Sequence, residues 1–376
     1  MASEAKEGKG IVVIKMGTSS LLNEECTHVR LSVMATLVET VVDLKREGYD
    51  VVIVSSGAVG VGCARMGMAR PDSLATKQAL AAVGQLRLMR QYDDLFYNLG
   101  YTCAQVLLTY DAFGDRNQHL NARNATLELL KMGIVPIINE NDTVAVRELR
   151  VGDNDSMGAL VASLISANWY FIFTDVDAVY SGDPRSDPSA IPHRVVSDIP
   201  ELRKQLGYHM PRTVSKFGTG GMLTKLIAAQ IACSAGVITY IVHCHDLHRV
   251  QDIMNGEQLG TMFLPAEHAV RGRKKWLMGL APCGSLFLDD GAYEAVCNKR
   301  KSLLSAGIVG IEGVFFENDA VRLCDSAGVE FARALVSFSS EVVAKIMGKS
   351  KEETCALLGS SERHFVVDRK LMVVMV

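Results

Sequence analysis

The feature that most restricts the fold of this chain is the grouping of its apolar residues. Five short runs, Gly10 to Ile14, Val51 to Val54, Cys103 to Leu108, Ile134 to Ile138 and Tyr170 to Phe173, are apolar almost without interruption. Between them apolar residues recur at helical spacing: Leu31, Met34, Leu37, Val38 and Val41; Ala79, Val83, Leu86 and Met89 within Leu74 to Phe96; Leu120 to Met132; and Met157, Leu160, Val161, Leu164 and Ile165. Strands covered on both faces read as continuous runs, and strands alternating with helices imply a mainly parallel sheet. The expectation is an α/β fold, a three-layer αβα sandwich.

In such a sheet ligands lie off the carboxyl ends of the strands. Lys15 stands there on the first strand, followed by the small-residue turn Gly17, Thr18, Ser19, Ser20. Ser55, Ser56 and Gly57 close the second, Asn139 to Asp142 the fourth, and Thr174 and Asp175 the fifth. Glycine turns at these ends let a ligand approach backbone N–H groups, although any tight strand-to-helix turn favours glycine. A lysine in this place also fits a plain solvated role. Gly152 to Asp155 then stand where a helix begins, so their oxygens can cap free N–H groups and a carboxylate there is stabilised as an anion.

The segment Ser181 to Ser215 is polar and proline-rich and reads as an excursion from the core. It closes on Lys216, Phe217, Gly218, Thr219, Gly220, Gly221, Met222, Leu223, Thr224 and Lys225 before a helical pattern. The spacing is wrong for a Walker A loop. Glycines before a helix start nonetheless expose several N–H donors, and Lys225 adds a positive charge within the first turns.

At 376 residues the chain is too long for one ordinary domain. A net charge of −3 gives no general reason to expect a nucleic acid or an anionic membrane as partner. No apolar stretch is long enough to span a bilayer, and the opening MASEAKEGKG lacks the apolar segment of a signal peptide. Nine cysteines without a CxxC pair suit thiols in a reducing compartment, so a cytoplasmic location is expected. His243, Cys244, His245 and His248 resemble a metal cluster by composition, but their spacing fits no standard zinc pattern, and no metal is assigned to them.

Taken in order, these pieces resemble the amino acid kinase family. VVIKMGTSSL, VVIVSSGAVG, KQALAAVGQ, NARNATL, VPIINENDTVA, VGDNDSMGALVA, FTDVDAVYSGDPR and GTGGMLTK follow one another through the first two-thirds of the chain. Within the family the likeness is to members that phosphorylate the γ-carboxylate of L-glutamate, the first step of proline biosynthesis. The resemblance implies ATP and L-glutamate as substrates, with magnesium accompanying the nucleotide on ligands it does not identify. It places ATP on Lys15, Thr174, Asp175, Thr219, Gly220, Gly221, Met222, Leu223, Thr224 and Lys225, and glutamate on Ser56, Asp142 and Asn154. Lys15, Asp155 and Lys225 would be catalytic, with Asp155 orienting both lysines. Ala178 stands where the family commonly has glycine, so a different backbone geometry beside the nucleotide is expected. A homo-oligomer, feedback inhibition by proline and association with glutamate-5-semialdehyde dehydrogenase come with the resemblance alone.

The chemistry calls for such residues. A side-chain carboxyl that ordinarily titrates at about pH 4.3 is already ionised at neutral pH and needs no general base. The difficulty is bringing two anions together, which lysines, N–H groups and magnesium relieve.

After Ala266 to Lys275, with Arg271, Arg273, Lys274 and Lys275, the chain changes to short segments with turns. Ser285 to Leu288, Ile308 to Ile311, Ala320 to Cys324, Val329 to Phe338 and Phe365 to Val367 read as a small mainly β domain, and GSLFLDDGA and KSLLSAGI resemble the PUA domain. The expected division is residues 1–268, a basic linker 269–283, and 284–376. PUA domains elsewhere bind RNA. From Trp276 to Val376, however, 11 Lys plus Arg face 13 Asp plus Glu, a net of −2, and Ser305 and Ala306 replace the usual Pro-Lys. RNA binding leans on positive charge, so a structural or regulatory role is favoured.

Two other readings stay open: a family member acting on another acid, such as aspartate or acetylglutamate, and an RNA-binding protein with a silent kinase fold. The NENDTVA motif and the PUA-like tail weigh against the first. Intact Lys15, Asp155, Asp175 and Lys225 weigh against the second.

Overall fold

The structure is a computed structural model and describes residues 9–23, 28–114, 116–145, 154–182, 184, 187, 189–206, 221–265, 282–316, 319–358 and 365–375. The chain forms two compact units, Met1–Ala269 and Val270–Val376.

The strands of the first unit are β1 (Ile11–Met16), β2 (Asp50–Ser55), β3 (Cys103–Leu108), β4 (Val135–Glu140), β5 (Trp169–Thr174), β6 (Val179–Tyr180), β7 (Pro192–His193), β8 (Val195–Val196), β9 (Ile238–His243) and β10 (Thr261–Phe263). Its helices are α1 (Thr18–Leu21), α2 (Leu31–Arg46), α3 (Ala58–Met66), α4 (Leu74–Asn98), α5 (Asp111–Gly114), α6 (Arg116–Lys131), α7 (Asn154–Leu164), α8 (Ile199–Gln205), α9 (Met222–Ser234) and α10 (Val250–Met254).

Eight strands form one sheet in the order β3-β4-β2-β1-β5-β9-β10-β8. Every pairing from β3 to β9 is parallel, and β10 runs antiparallel to β9. The chain grows from β1 toward β2, β4 and β3 on one side, then returns to place β5 and β9 on the other. The reversal falls between β1 and β5, the place in such a sheet where ligands are expected off the carboxyl ends.

Side chains alternate between the two faces of a strand. Val12, Ile14 and Met16 join Val51, Ile53, Phe171 and Phe173 in a core shared with Met34, Leu37, Val38 and Val41 of α2 and Leu88, Tyr92 and Phe96 of α4. The alternate positions, with Lys15 on β1 and Tyr170 on β5, belong to the opposite face, where Lys15 and Tyr170 meet α7.

The buried stripe of α4 differs from the expected one. Val83 and Leu86 are exposed, at 40% and 77%, and Leu80, Ala81, Gly84, Leu88, Tyr92 and Phe96 face inward instead. The reason is helix crossing. A Cβ on Gly84 would lie 1.8 Å from the Ala58 carbonyl oxygen, and one on Gly62 would lie 2.0 Å from the Leu80 oxygen. Helices α3 and α4 therefore touch backbone to backbone, and that contact sets the rotation of α4. The polar excursion also departs from expectation, because β8 within it joins the edge of the main sheet beside β10 and α8 is helical.

In the second unit, β11 (Gly284–Leu288), β12 (Leu303–Leu304), β13 (Ile308–Gly313), β14 (Ala320–Cys324), β15 (Glu330–Leu335), β16 (Phe365–Val367) and β17 (Met372–Val374) include all five expected segments. Five of them make a sheet in the order β13-β11-β14-β15-β17, and β12 pairs with β16. Leu286, Leu288, Phe315, Val321, Leu323, Phe331, Val343 and Ile346 form its own core, each such side chain contributing about 1.5–3 kcal/mol on burial. Three short helices, Asp290–Cys297, Ser340–Ile346 and Lys351–Leu358, accompany the strands. The expected linker falls largely on residues 266–281, outside the described ones.

Candidate active site

Helix α7 begins at the carboxyl edge of the sheet, and its first two residues, Asn154 and Asp155, divide the site. Successive helical side chains diverge by about 100°. Asp155 therefore reaches one way and Asn154 another.

Asp155 is fully buried and lies between two lysines that are each only 5% exposed. Lys15 Nζ contacts Asp155 Oδ1, and Lys225 Nζ stands 3.4 Å from Oδ2. The single hydrogen of the Thr224 hydroxyl faces two acceptors, the Gly221 carbonyl at 2.7 Å and Asp155 Oδ2 at 3.3 Å. Burial pushes the Asp155 carboxyl upward, but the charges of Lys15 and Lys225 and their hydrogen bonds outweigh it and hold it below the usual carboxylate range. Three distant stretches of sequence thus meet at one ionised group: β1, the start of α7 and the start of α9. An ammonium carries three donors, so a carboxylate that engages it fixes where the rest can point.

The Asn154 amide turns toward β2 and β4. Its Nδ2 lies 2.8 Å from Ser56 Oγ, 2.9 Å from Asn139 Oδ1 and 3.0 Å from the Ser55 carbonyl, three acceptors for two hydrogens. Asn139, at 2% exposure, donates in turn to Gln85 Oε1 at 2.8 Å and accepts from the Glu140 amide. A neutral relay therefore runs from Gln85 on α4 through Asn139 and Asn154 to Ser56. Asp142, half-buried, follows in the turn after β4, where the Thr143 hydroxyl donates to Asn141 at 2.6 Å.

On the side expected to take the nucleotide, Thr174 is buried at the end of β5 and donates to the exposed Asp175 at 3.0 Å. Gly221 is the N-cap of α9, and no side chain caps the helix there, so its first-turn N–H groups can serve an anion. Met222, Leu223 and Thr224 form that first turn and are half-buried. Thr219 and Gly220 lie outside the described residues, as do Gly152 and Asp153 before α7. Ala178 is buried with φ outside the left-handed region, so its methyl group is accommodated where glycine was expected.

Sequence reasoning gave no role to Gln85 or Tyr170, and it placed Asn139 only as part of the Asn139 to Asp142 stretch at the ligand edge. Gln85 carried a usable signal, an amide following Gly84 inside the KQALAAVGQ motif. Tyr170 carried none, since it reads as one more apolar strand residue. His243, Cys244 and His245 do come together, with ligand atoms within 4.8 Å of one another. His243 Nδ1 accepts the His245 amide at 3.1 Å, and Cys244 packs into the core.

With this geometry in place, comparison with known proteins is decisive. The amino acid kinase family matches residues 10–243. The chain belongs to the amino acid kinase family. Residues 284–358 match the PUA domain. Glutamate 5-kinase of Cyanothece sp. (strain PCC 7425) is 50% identical over 365 residues, covering 96% of this chain and 98% of that protein. Glutamate 5-kinase of Nostoc punctiforme is likewise 50% identical over 365 residues with the same coverage. Among solved structures, isopentenyl phosphate kinase of T. acidophilum overlaps with a TM-score of 0.44 and 15% identity, covering 67% of this chain and 99% of that one, a likeness too loose to add to the assignment.

Proposed function

We propose that this chain transfers the γ-phosphoryl group of ATP to the γ-carboxylate of L-glutamate, giving L-glutamyl 5-phosphate and ADP, the first step of proline biosynthesis. The observation that carries the reading is the Lys15–Asp155–Lys225 cluster standing next to the neutral amide relay, within a chain half identical to glutamate 5-kinases over nearly its whole length. A carboxylate oxygen forms the new bond to phosphorus as the bond to the ADP oxygen breaks, and no proton moves. Lys15 stabilises the transferring group and Lys225 the departing ADP side, while Asp155 holds both in place. First-turn amides of α9 and the edge at Thr174 and Asp175 receive the nucleotide. Ser56 and Asn154 hold glutamate without adding negative charge, and Asp142 pairs with its α-ammonium group.

Magnesium travels with ATP. Such an ion would be held mainly by phosphates and water, on protein ligands the sequence does not identify. When bound, it neutralises phosphate charge. Homo-oligomerisation, proline as inhibitor and hand-over of the labile acyl phosphate to glutamate-5-semialdehyde dehydrogenase complete the proposal. The PUA unit, at a net of −2, serves a structural or regulatory part rather than RNA binding.

The test is ATP-dependent trapping of the acyl phosphate by hydroxylamine with glutamate, aspartate and acetylglutamate supplied separately. Hydroxamate from glutamate alone is expected. Product from another acid reassigns the substrate, and no product from any acid, together with tight RNA binding, removes the enzyme reading.

A further inference from the structure

Tyr170 stands second in β5, paired with Val13 of β1, two positions before the Lys15–Ile172 pair. It is fully buried, and its hydroxyl donates to the backbone carbonyl of Asp155 at 2.6 Å. That carbonyl belongs to the first turn of α7. The ring reaches it only because α7 has a glycine three residues on: a Cβ at Gly158 would lie 2.4 Å from the hydroxyl oxygen and 2.8 Å from two ring carbons. Glycine weakens a helix interior, and α7 is buried at every residue from Asp155 to Leu164. The tyrosine accounts for the glycine.

We infer that Tyr170 is a positioning residue for phosphoryl transfer, its hydroxyl fastening the start of α7 to β5 through the notch at Gly158 and so fixing the Asp155 carboxylate at the level where Lys15 and Lys225 meet. The geometry is direct. Lys15 is carried by β1, the strand next to β5, so anchoring Asp155 to β5 sets its height relative to Lys15. Lys225 arrives from α9, and the same anchored carboxylate receives it. A buried hydroxyl without a partner is unfavourable, which keeps this bond closed. The inference rests on the phosphoryl-transfer reading above.

Tyr170→Phe removes one oxygen and leaves the ring. Because small displacements of positioned groups lower the rate of the chemical step, kcat is expected to fall on the order of 10-fold, with KM for glutamate and for ATP changed less than about twofold. Gly158→Ala with Tyr170→Leu refills the notch from the helix side without restoring the hydroxyl. Its melting temperature is expected near that of the parent and its kcat as low as in Tyr170→Phe. Parental kcat in either variant overturns the inference, as does a rise in KM with kcat unchanged. Hydrogen exchange of the first-turn amides of α7 is read on the same proteins without turnover. Faster exchange in Tyr170→Phe is expected, and unchanged exchange overturns the inference. Should the parent chain yield no acyl phosphate, the reaction assignment fails by itself, and the exchange measurement still decides whether Tyr170 anchors α7.

Discussion

The two halves of the site differ in how they are held, although both start from adjacent residues. On the Asp155 side three ionised groups sit almost out of water. On the Asn154 side the partners are amides, a hydroxyl and a backbone carbonyl. Under the proposed reaction, the difference follows the charge each half would accept. Phosphate brings several negative charges and calls for ammonium groups, whereas a second anion placed beside it is better held by neutral donors that add direction without competing for the lysines. Removing a member of the ionic half therefore strands a buried charge, while removing a member of the neutral half loses hydrogen bonds alone.

The sharpest way to break this contrast is Asp155→Asn. It leaves Lys15 and Lys225 without their shared anion, so kcat is expected to fall on the order of 100 to 1000-fold, with stability reduced by roughly 3–5 kcal/mol. Steady-state kinetics and a thermal melt measure the two separately, and parental turnover would end the assignment. Acid titration is the next test. The folded-state pKa of Asp155 is depressed by the two lysines against the pull of burial. Its contribution to stability is therefore complete above about pH 4, the unfolded carboxylate value, and is lost as pH falls through the lower folded value. Melting of the parent should drop more steeply below that pH than melting of Asp155→Asn.

In the neutral half, Asn139→Ala should raise KM for glutamate about 10-fold, leave KM for ATP within about twofold and lower stability by about 1 kcal/mol. An effect on ATP rather than glutamate would merge the two halves. The smallest effect is expected in the second unit. Ser305 is buried and its hydroxyl shares a 2.7 Å hydrogen bond with Thr354 and donates to the Lys349 carbonyl at 3.1 Å. Ser305→Ala should cost about 1 kcal/mol in a melt and leave kcat and both KM values unchanged.

Much of this was legible in the chain. Continuous apolar runs announced the parallel sheet, because burial on both faces removes the alternation that a half-exposed strand would show. Lys15, Asp155 and Lys225 were legible as candidates through the motifs around them, and the structure brings the three together. What periodicity could not convey was rotation. Val83 and Leu86 fit a helical stripe as well as Leu88 and Tyr92 do, and only the crossing of α3 with α4 decides which stripe turns inward. Tyr170 was hidden for a related reason. A tyrosine in an apolar strand shows its ring to a pattern search, while its hydroxyl acts through a partner that lies in another element. The polar excursion misled through composition, since β8 needs only two residues to extend the sheet.

The backbone contact of α3 with α4 has a consequence for how freely this protein can vary. Because carbonyl oxygens rather than side chains oppose Gly62 and Gly84, no repacking of neighbours can make room for a larger residue at either position. A saturation library over the two helices should tolerate many replacements at exposed Leu86 and almost none at 62 and 84. Gln85 follows Gly84 on α4 and Ser56 stands just before α3, so the spacing of these two groups in the proposed site depends on how closely the helices cross at 62 and 84.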